Sequence, residues 1–224
     1  MRPLSVRRWS ALLIGLALLS TPVSSAFSAP SSSGSKASPK IALTFDDGPS
    51  DKYTAEILDI LKEYNVKATF FIIGSNAQRY PELLRRTVAE GHEIGNHTYS
   101  HPHLKTIDET TLTEEVAHTA KLLYEIAGVR TTLFRPPEGV VTPTVASAAQ
   151  KGGYRTVLWS IDTMDWAQNS PANILKQIKQ EANDGDIILF HDWVARQSPT
   201  PEALRLVIPW LQAQGYTFVT VSEL

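Results

Sequence analysis

IALTFDDGPS, residues 41–50, carries a short apolar run into two adjacent aspartates and then into a Gly-Pro turn. The run has the composition of a strand buried on both faces, as in a parallel sheet covered by helices. Two neighbouring carboxylates repel each other and are costly to desolvate, so they are an odd ending for such a strand. Asp before Gly-Pro is also ordinary turn chemistry, so the stretch alone leaves a structural reading open.

Downstream, the same alternation repeats. Strand-like runs occupy 41–45, 67–73, 92–97, 132–135, 155–161, 186–191 and 216–221. Helix-like stretches fill the gaps at 51–65, 77–90, 109–127, 142–151, 171–182 and 201–214, with Ser50 or Asp51 as N-cap of the first. Alternating strands and helices imply parallel strands with right-handed crossovers. The fold class is α/β: about seven parallel strands, as an irregular (β/α) barrel or an open doubly wound sheet. In either form, the C-terminal strand ends share one rim, where ligands bind. Asp46 and Asp47, His97, Arg135, Asp162 and His191 all fall at strand ends.

The chain has 224 residues, 42% of them hydrophobic, enough for one domain. Residues 1–26 combine Arg2, Arg7 and Arg8, an apolar run from Trp9 to Leu19, and small residues ending Ser24-Ser25-Ala26. This is the pattern of a secretory signal. The apolar run is about half the roughly 20 residues of a spanning helix, although an uncleaved anchor is the alternative. Residues 27–39 read as a flexible linker, and 40–224 as one folded domain. Without residues 1–26, 18 basic residues face 23 acidic ones, a net charge of −5. Such a balance disfavours nucleic acid as a partner. With no cysteine, thiol chemistry, cysteine metal ligands and disulfides are excluded.

His97 and His101 lie four apart, the spacing at which one helical turn lets both grip a metal. Asp47 could complete two imidazoles and a carboxylate, a common open metal site for which zinc is the default, with Co²⁺ or another divalent transition ion possible. Successive strand side chains point apart, leaving Asp46 as a base. His191, in LFHD, would supply the acid. Arg135, in FRPPEG, could brace a carboxylate through a bidentate fork, and its stiff loop could aim a backbone N–H at a developing oxyanion. Asp162 or Asp165, in WSIDTMDW, could fix the His191 tautomer. Trp166 could wall an apolar pocket, while Trp159 reads as core. His92 and His103 read as structural or surface residues, and His118 as solvated on its helix.

TFDDGP, HTYSH, RPPxG, DxxDW and LxH, in that order, resemble the five motifs of the polysaccharide deacetylase (NodB-homology) family, carbohydrate esterase family 4. The resemblance covers residues 40–222 and implies a deformed (β/α) barrel that removes N-acetyl groups from glycans with the help of a metal. It implies Asp47, His97 and His101 as metal ligands, Asp46 as general base and His191 as general acid. Arg135 would orient Asp46, and Asp165 would support His191. The backbone N–H of Glu138 would face the oxyanion, and Trp166 and Leu189 would line the acetyl-methyl pocket. Glu138 departs from the pattern, since an aromatic often stands there. The substrate is expected to be a polysaccharide, peptidoglycan N-acetylglucosamine or a chitin-like oligomer, met outside the cytoplasm (secreted or at the cell envelope) by a monomer with no stable membrane span. An O-acetyl esterase on xylan-like glycans and a non-catalytic glycan-binding module are the alternatives.

Overall fold

A computed structural model describes residues 38–194 and 197–224. Residues 1–26, read above as a secretory signal, and all but the last two residues of the stretch read as a linker lie outside the described residues.

Eight parallel strands form one sheet: β1 (Lys40–Asp46), β2 (Thr69–Ile72), β3 (Glu93–Asn96), β4 (Leu133–Phe134), β5 (Arg155–Thr156), β6 (Ile161–Asp162), β7 (Asp186–His191) and β8 (Thr217–Phe218). The path across it runs β5-β4-β3-β2-β1-β7-β6, seven positions wide, while β8 pairs with the start of β1. The stretch 155–161, expected as one strand, is two strands at opposite ends of that path. Laid flat, seven strands at about 4.8 Å spacing would hold these ends about 29 Å apart. The five steps from Thr156 to Ile161 reach about 18 Å at most. The sheet therefore curls into the deformed barrel, with residues 157–160 crossing its seam.

The helices α1 (Thr54–Glu63), α2 (Gly74–Arg79), α3 (Pro81–Ala89), α4 (Glu109–Ala127), α5 (Pro143–Lys151), α6 (Pro171–Glu181) and α7 (Thr200–Ala213) follow the predicted stretches closely. The exception is 77–90, where Pro81, which cannot continue a preceding helix, opens α3 and separates it from α2. Helix α1 also starts later than expected, with Tyr53 at its N-cap. The Ser50 hydroxyl instead accepts from the Tyr53 N–H, bracing the turn before the helix.

β1 shows why its residues are apolar throughout. Ile41, Leu43 and Phe45 face outward into a core shared with α1, α6 and α7. Phe45 stacks between Phe70 and Phe190 at centroid distances of 4.9 and 5.9 Å. The alternate residues Ala42, Thr44 and Asp46 face the barrel interior, with Phe71, Leu133 and Val157. Gly95 on β3 makes room there: a Cβ on it would come within 2.3 Å of the Phe71 ring. Thus one strand serves two cores, and its inward row ends on the acid.

Phe45→Ala should lower the unfolding free energy by about 3–5 kcal/mol through lost burial and a cavity. The shift in urea midpoint measures it.

Candidate active site

Strand register sets the site. Asp46 and His191 are paired neighbours on β1 and β7, and Asn96 pairs with Phe134, so His97 and Arg135 leave adjacent strands together. Asp46, Asp47, His97, His101, Glu138, Trp159, Asp162, Trp166, Leu189 and His191 line one cavity of about 470 Å³ at the C-terminal strand ends. Ten residues from distant parts of the chain thus meet at the rim expected from the strand endings.

The acid pair splits as expected, with an added cause. Asp46 ends β1, while Asp47 has a left-handed backbone (φ 76°) that turns its side chain away from the strand alternation. Asp46 Oδ1 accepts from Arg135 Nη1 at 2.7 Å. This is a single bond rather than the expected bidentate fork, because the guanidinium is divided among several partners. Its Nη1 also donates to Thr44 Oγ1, its Nε to the Val157 carbonyl and its Nη2 to the Leu158 carbonyl. The Arg135 guanidinium also lies 4.0 Å from the Phe71 ring centroid. Burial pulls its pKa down and Asp46 opposes that, so the two charges need each other.

Asp47 Oδ1 is buried without a hydrogen-bond partner. It lies 3.4 Å from His97 Nε2 and 3.5 Å from His101 Nε2. Burial pushes the Asp47 carboxyl up, but the His97 imidazole above all, with His191 and His101, brings it below the usual range. An orphaned carboxylate oxygen facing two imidazole nitrogens is a donor set for a divalent transition ion. His97 Nδ1 lies 2.7 Å from the Arg135 carbonyl, which can only accept, so Nδ1 carries the proton and Nε2 is left as the ligating atom. Burial lowers the His97 pKa, but Asp46 and Asp47 outweigh it and raise it. For His101 burial prevails over Asp47 and lowers it.

The two histidines do not share a helical turn as expected. They sit on a loop with left-handed backbone at Thr98 (φ 69°) and His101 (φ 55°), and their rings lie 5.2 Å apart. The Thr98 hydroxyl accepts from the His101 N–H and bonds the His97 carbonyl. Spacing alone could not separate a helical turn from this loop.

Opposite, His191 Nδ1 bonds Asp165 Oδ1 at 2.8 Å, leaving Nε2 without that bond. Asp165 is fully buried and also accepts from the backbone N–H groups of Trp166 and His191 and from the Thr200 hydroxyl. Asp162, the other candidate for this task, instead accepts from the Met164 N–H at the cavity edge. Burial disfavours the charged His191, but the Asp165 bond and charge, then Asp46 and Asp47, raise its pKa from 6.5 to about 9.

The remaining residues fall as follows. Leu189 is buried and Trp166 is 54% exposed, both on the cavity wall. Glu138 (φ 57°) lines the mouth and bonds exposed His103 at 3.1 Å. Trp159, read as core, is half-buried and lines the cavity; it packs so closely on Gly139 that a Cβ there would come within 2.7 Å of its ring. His92 is buried, accepts from the Ala68 N–H, and is lowered to about 4, chiefly by burial. His118 is exposed and stacks on Tyr99.

Sequence reading missed Asp192. It is fully buried, its Oδ2 accepts from Thr54 Oγ1 at 2.6 Å, and its carboxyl presses where a Cβ on Gly48 would lie, at 2.0 Å. Burial chiefly, against the Thr54 bond and with Asp47 adding, pushes it up to about 7. Only Gly48 leaves space for it, which ties the end of β7 to the acid-bearing loop. An acid directly after a strand-end histidine was the available signal.

The polysaccharide deacetylase family profile matches residues 33–157. The chain is 43% identical to a peptidoglycan-N-acetylglucosamine deacetylase of Bacillus cereus, over 82% of this chain and 87% of the other. It is 37% identical to a chitooligosaccharide deacetylase of Azorhizobium caulinodans, over 79% and 90% respectively. The solved structure of peptidoglycan deacetylase PdaC from Bacillus subtilis superposes with a TM-score of 0.77 at 38% identity, covering 84% of this chain and 90% of that one. The chain belongs to the polysaccharide deacetylase family.

A raised folded-state pKa at His191 stabilises the fold fully below about pH 6.5, and that contribution fades as the pH rises through 9. In metal-free protein, Asp165→Asn should bring the His191 titration down from about 9 toward its ordinary 6.5, since burial is then opposed by Asp46 and Asp47 without the Asp165 charge. NMR titration of the imidazole measures this; an unmoved value would refute the pairing.

Proposed function

We propose that this member of the family is a metal-dependent polysaccharide N-deacetylase, working outside the cytoplasm on N-acetylglucosamine units of peptidoglycan or chitin-like oligomers and releasing acetate. The observation that carries the reading is a base, an acid and an orphaned metal-ligand set in one cavity, each with its own partner. The names of the relatives give the substrate class its support. Among the described residues no helix is long and apolar enough to cross a membrane.

In this reading Asp47, His97 and His101 hold a divalent ion, most simply zinc. When bound, the ion lowers the pKa of water and polarises the acetamide carbonyl. Asp46 takes the proton of the attacking water, and Arg135 holds its carboxylate in place through the bond to Oδ1. Its Oδ1 is committed to Arg135, so Oδ2 is the atom that accepts. His191 gives its Nε2 proton to the departing amine, while Asp165 holds Nδ1–H and so fixes which nitrogen donates. An amide needs such an acid because its leaving amine is poor, and a pKa of about 9 keeps His191 charged at neutral pH. The backbone N–H of Glu138 faces the developing oxyanion. Leu189 and Trp166 enclose the methyl group, favouring acetyl over bulkier acyl groups. The exposed Glu138 side chain alters the groove wall and so acts on glycan preference.

Acetate release from peptidoglycan, chitooligosaccharides and acetylxylan, with and without chelator, tests the proposal. Release from the N-acetylated glycans is expected, stopped by chelator and restored by zinc. Release from acetylxylan alone would favour the esterase, and no release with metal restored would refute both. Asp46→Asn should lower kcat by about 10²–10⁴-fold, the usual worth of a general base, with metal binding retained.

A further inference from the structure

The loop bearing His97 and His101 is strained, and an acid outside the site holds it. Non-glycine residues in the left-handed region are strained and persist where their surroundings enforce them. Thr98 and His101 are two such residues within four positions. The enforcing contacts can be traced. The Thr98 N–H donates to Asn96 Oδ1, and the His101 N–H to Thr98 Oγ1. The Thr98 and Tyr99 carbonyls accept from the Gly74 and Ser75 N–H groups of α2.

Glu115, on α4, holds the middle of the loop by hydrogen bonds. Glu115 Oε2 accepts from the Tyr99 N–H at 2.9 Å and the Ser100 N–H at 2.7 Å, and Oε1 accepts from Ser100 Oγ at 2.9 Å. A carboxylate taking three donors makes charge-assisted bonds, stronger than neutral ones. These donors lie directly between the two histidines, so the acid sets the path by which the chain leaves His97 and returns at His101. α4 is itself tied to β3 through Asn96 Nδ2 and the Val116 carbonyl, next to Glu115. One helix turn further on, His118 stacks on Tyr99 at 4.2 Å.

We propose that Glu115 is a positioning residue that preorganises His97 and His101 and thereby sets the affinity of the metal site. This rests on the metal reading of the cavity. Glu115 touches neither the cavity nor either imidazole, so its effect must pass through loop geometry. Without it, the Tyr99 and Ser100 N–H groups turn to water and the left-handed residues relax. The two Nε2 atoms and Asp47 Oδ1 then meet in only a fraction of molecules, and apparent affinity falls by that fraction.

The test is zinc affinity of the metal-free protein, measured by competition with a chromophoric chelator, alongside acetate release as zinc is titrated. Glu115→Ala should bind zinc about 10–100-fold more weakly, the usual loss when a supporting contact around a metal ligand is removed. Its activity should recover at high zinc with KM unchanged. Glu115→Gln, which keeps an acceptor oxygen, should fall between Ala and wild type. Ser100→Ala removes one bond without touching α4 and should show a smaller loss, which keeps the test available if Glu115→Ala does not fold. Wild-type affinity in folded Glu115→Ala, or in Ser100→Ala when the former cannot be made, would overturn the proposal while leaving the metal reading intact. Failure of the wild type to bind zinc would overturn both.

Discussion

The buried guanidinium of Arg135 is the constraint on which the site depends. A fully buried charge is tolerable only when its donors are satisfied and an opposite charge lies close. Arg135 uses four of its five N–H groups on Asp46, Thr44, Val157 and Leu158, and its face covers Phe71. Two of those acceptors are carbonyls of the segment crossing the seam between β5 and β6, where the sheet no longer pairs them. The residue that orients Asp46 is thus also the one that satisfies the backbone where the barrel fails to close. Gly95 matters for the same reason: it admits Phe71, on which the guanidinium rests.

With Asp46 neutralised by Arg135, Asp47 need not share the same countercharge. Its left-handed backbone carries it toward the two imidazoles, and its orphaned oxygen has no other use within the described protein. His191 stands beside Asp46 by register, but Asp165, fully buried with four donors, governs its proton. Each of the three carboxylates thus has its own nearest cationic or imidazole partner, although Asp46 also lies 3.9 Å from His97 Nε2.

Much of this could be read from strand endings. Asp46, His97, Arg135 and His191 stand at the last position of a strand or one beyond it, and parallel topology brings such positions to one rim. The broken strand at 155–161 was not readable. RTVLWSI contains neither glycine nor proline, and its interruption comes from closure of the sheet and from Arg135 claiming the Val157 and Leu158 carbonyls. Trp159 was misread for the same reason, since a residue on a seam is not a residue in a strand. The histidine loop failed differently. A spacing of four fits a helical turn, and what excludes the helix is a carboxylate fourteen residues further on in α4. Nothing in the sequence separates Glu115 from its neighbours Glu109 and Glu114.

These misreadings share a physical origin. Hydrophobic period reports the environment of a side chain, and it located most of the helices and strands whose backbone satisfies itself, the α2–α3 break at Pro81 excepted. It is silent where backbone groups are satisfied by a side chain from elsewhere, as at Val157 and Leu158 by Arg135, or at Tyr99 and Ser100 by Glu115. Both places border the cavity. An active site needs side chains held in directions that regular elements do not supply, so its backbone must leave the regular ladder and find partners at a distance. Gly48 and Asp192 show a steric counterpart on the acid loop, where a missing Cβ leaves room for a buried carboxyl. The irregular backbone around this cavity is therefore a condition for aiming Asp47, His97 and His101 at one point.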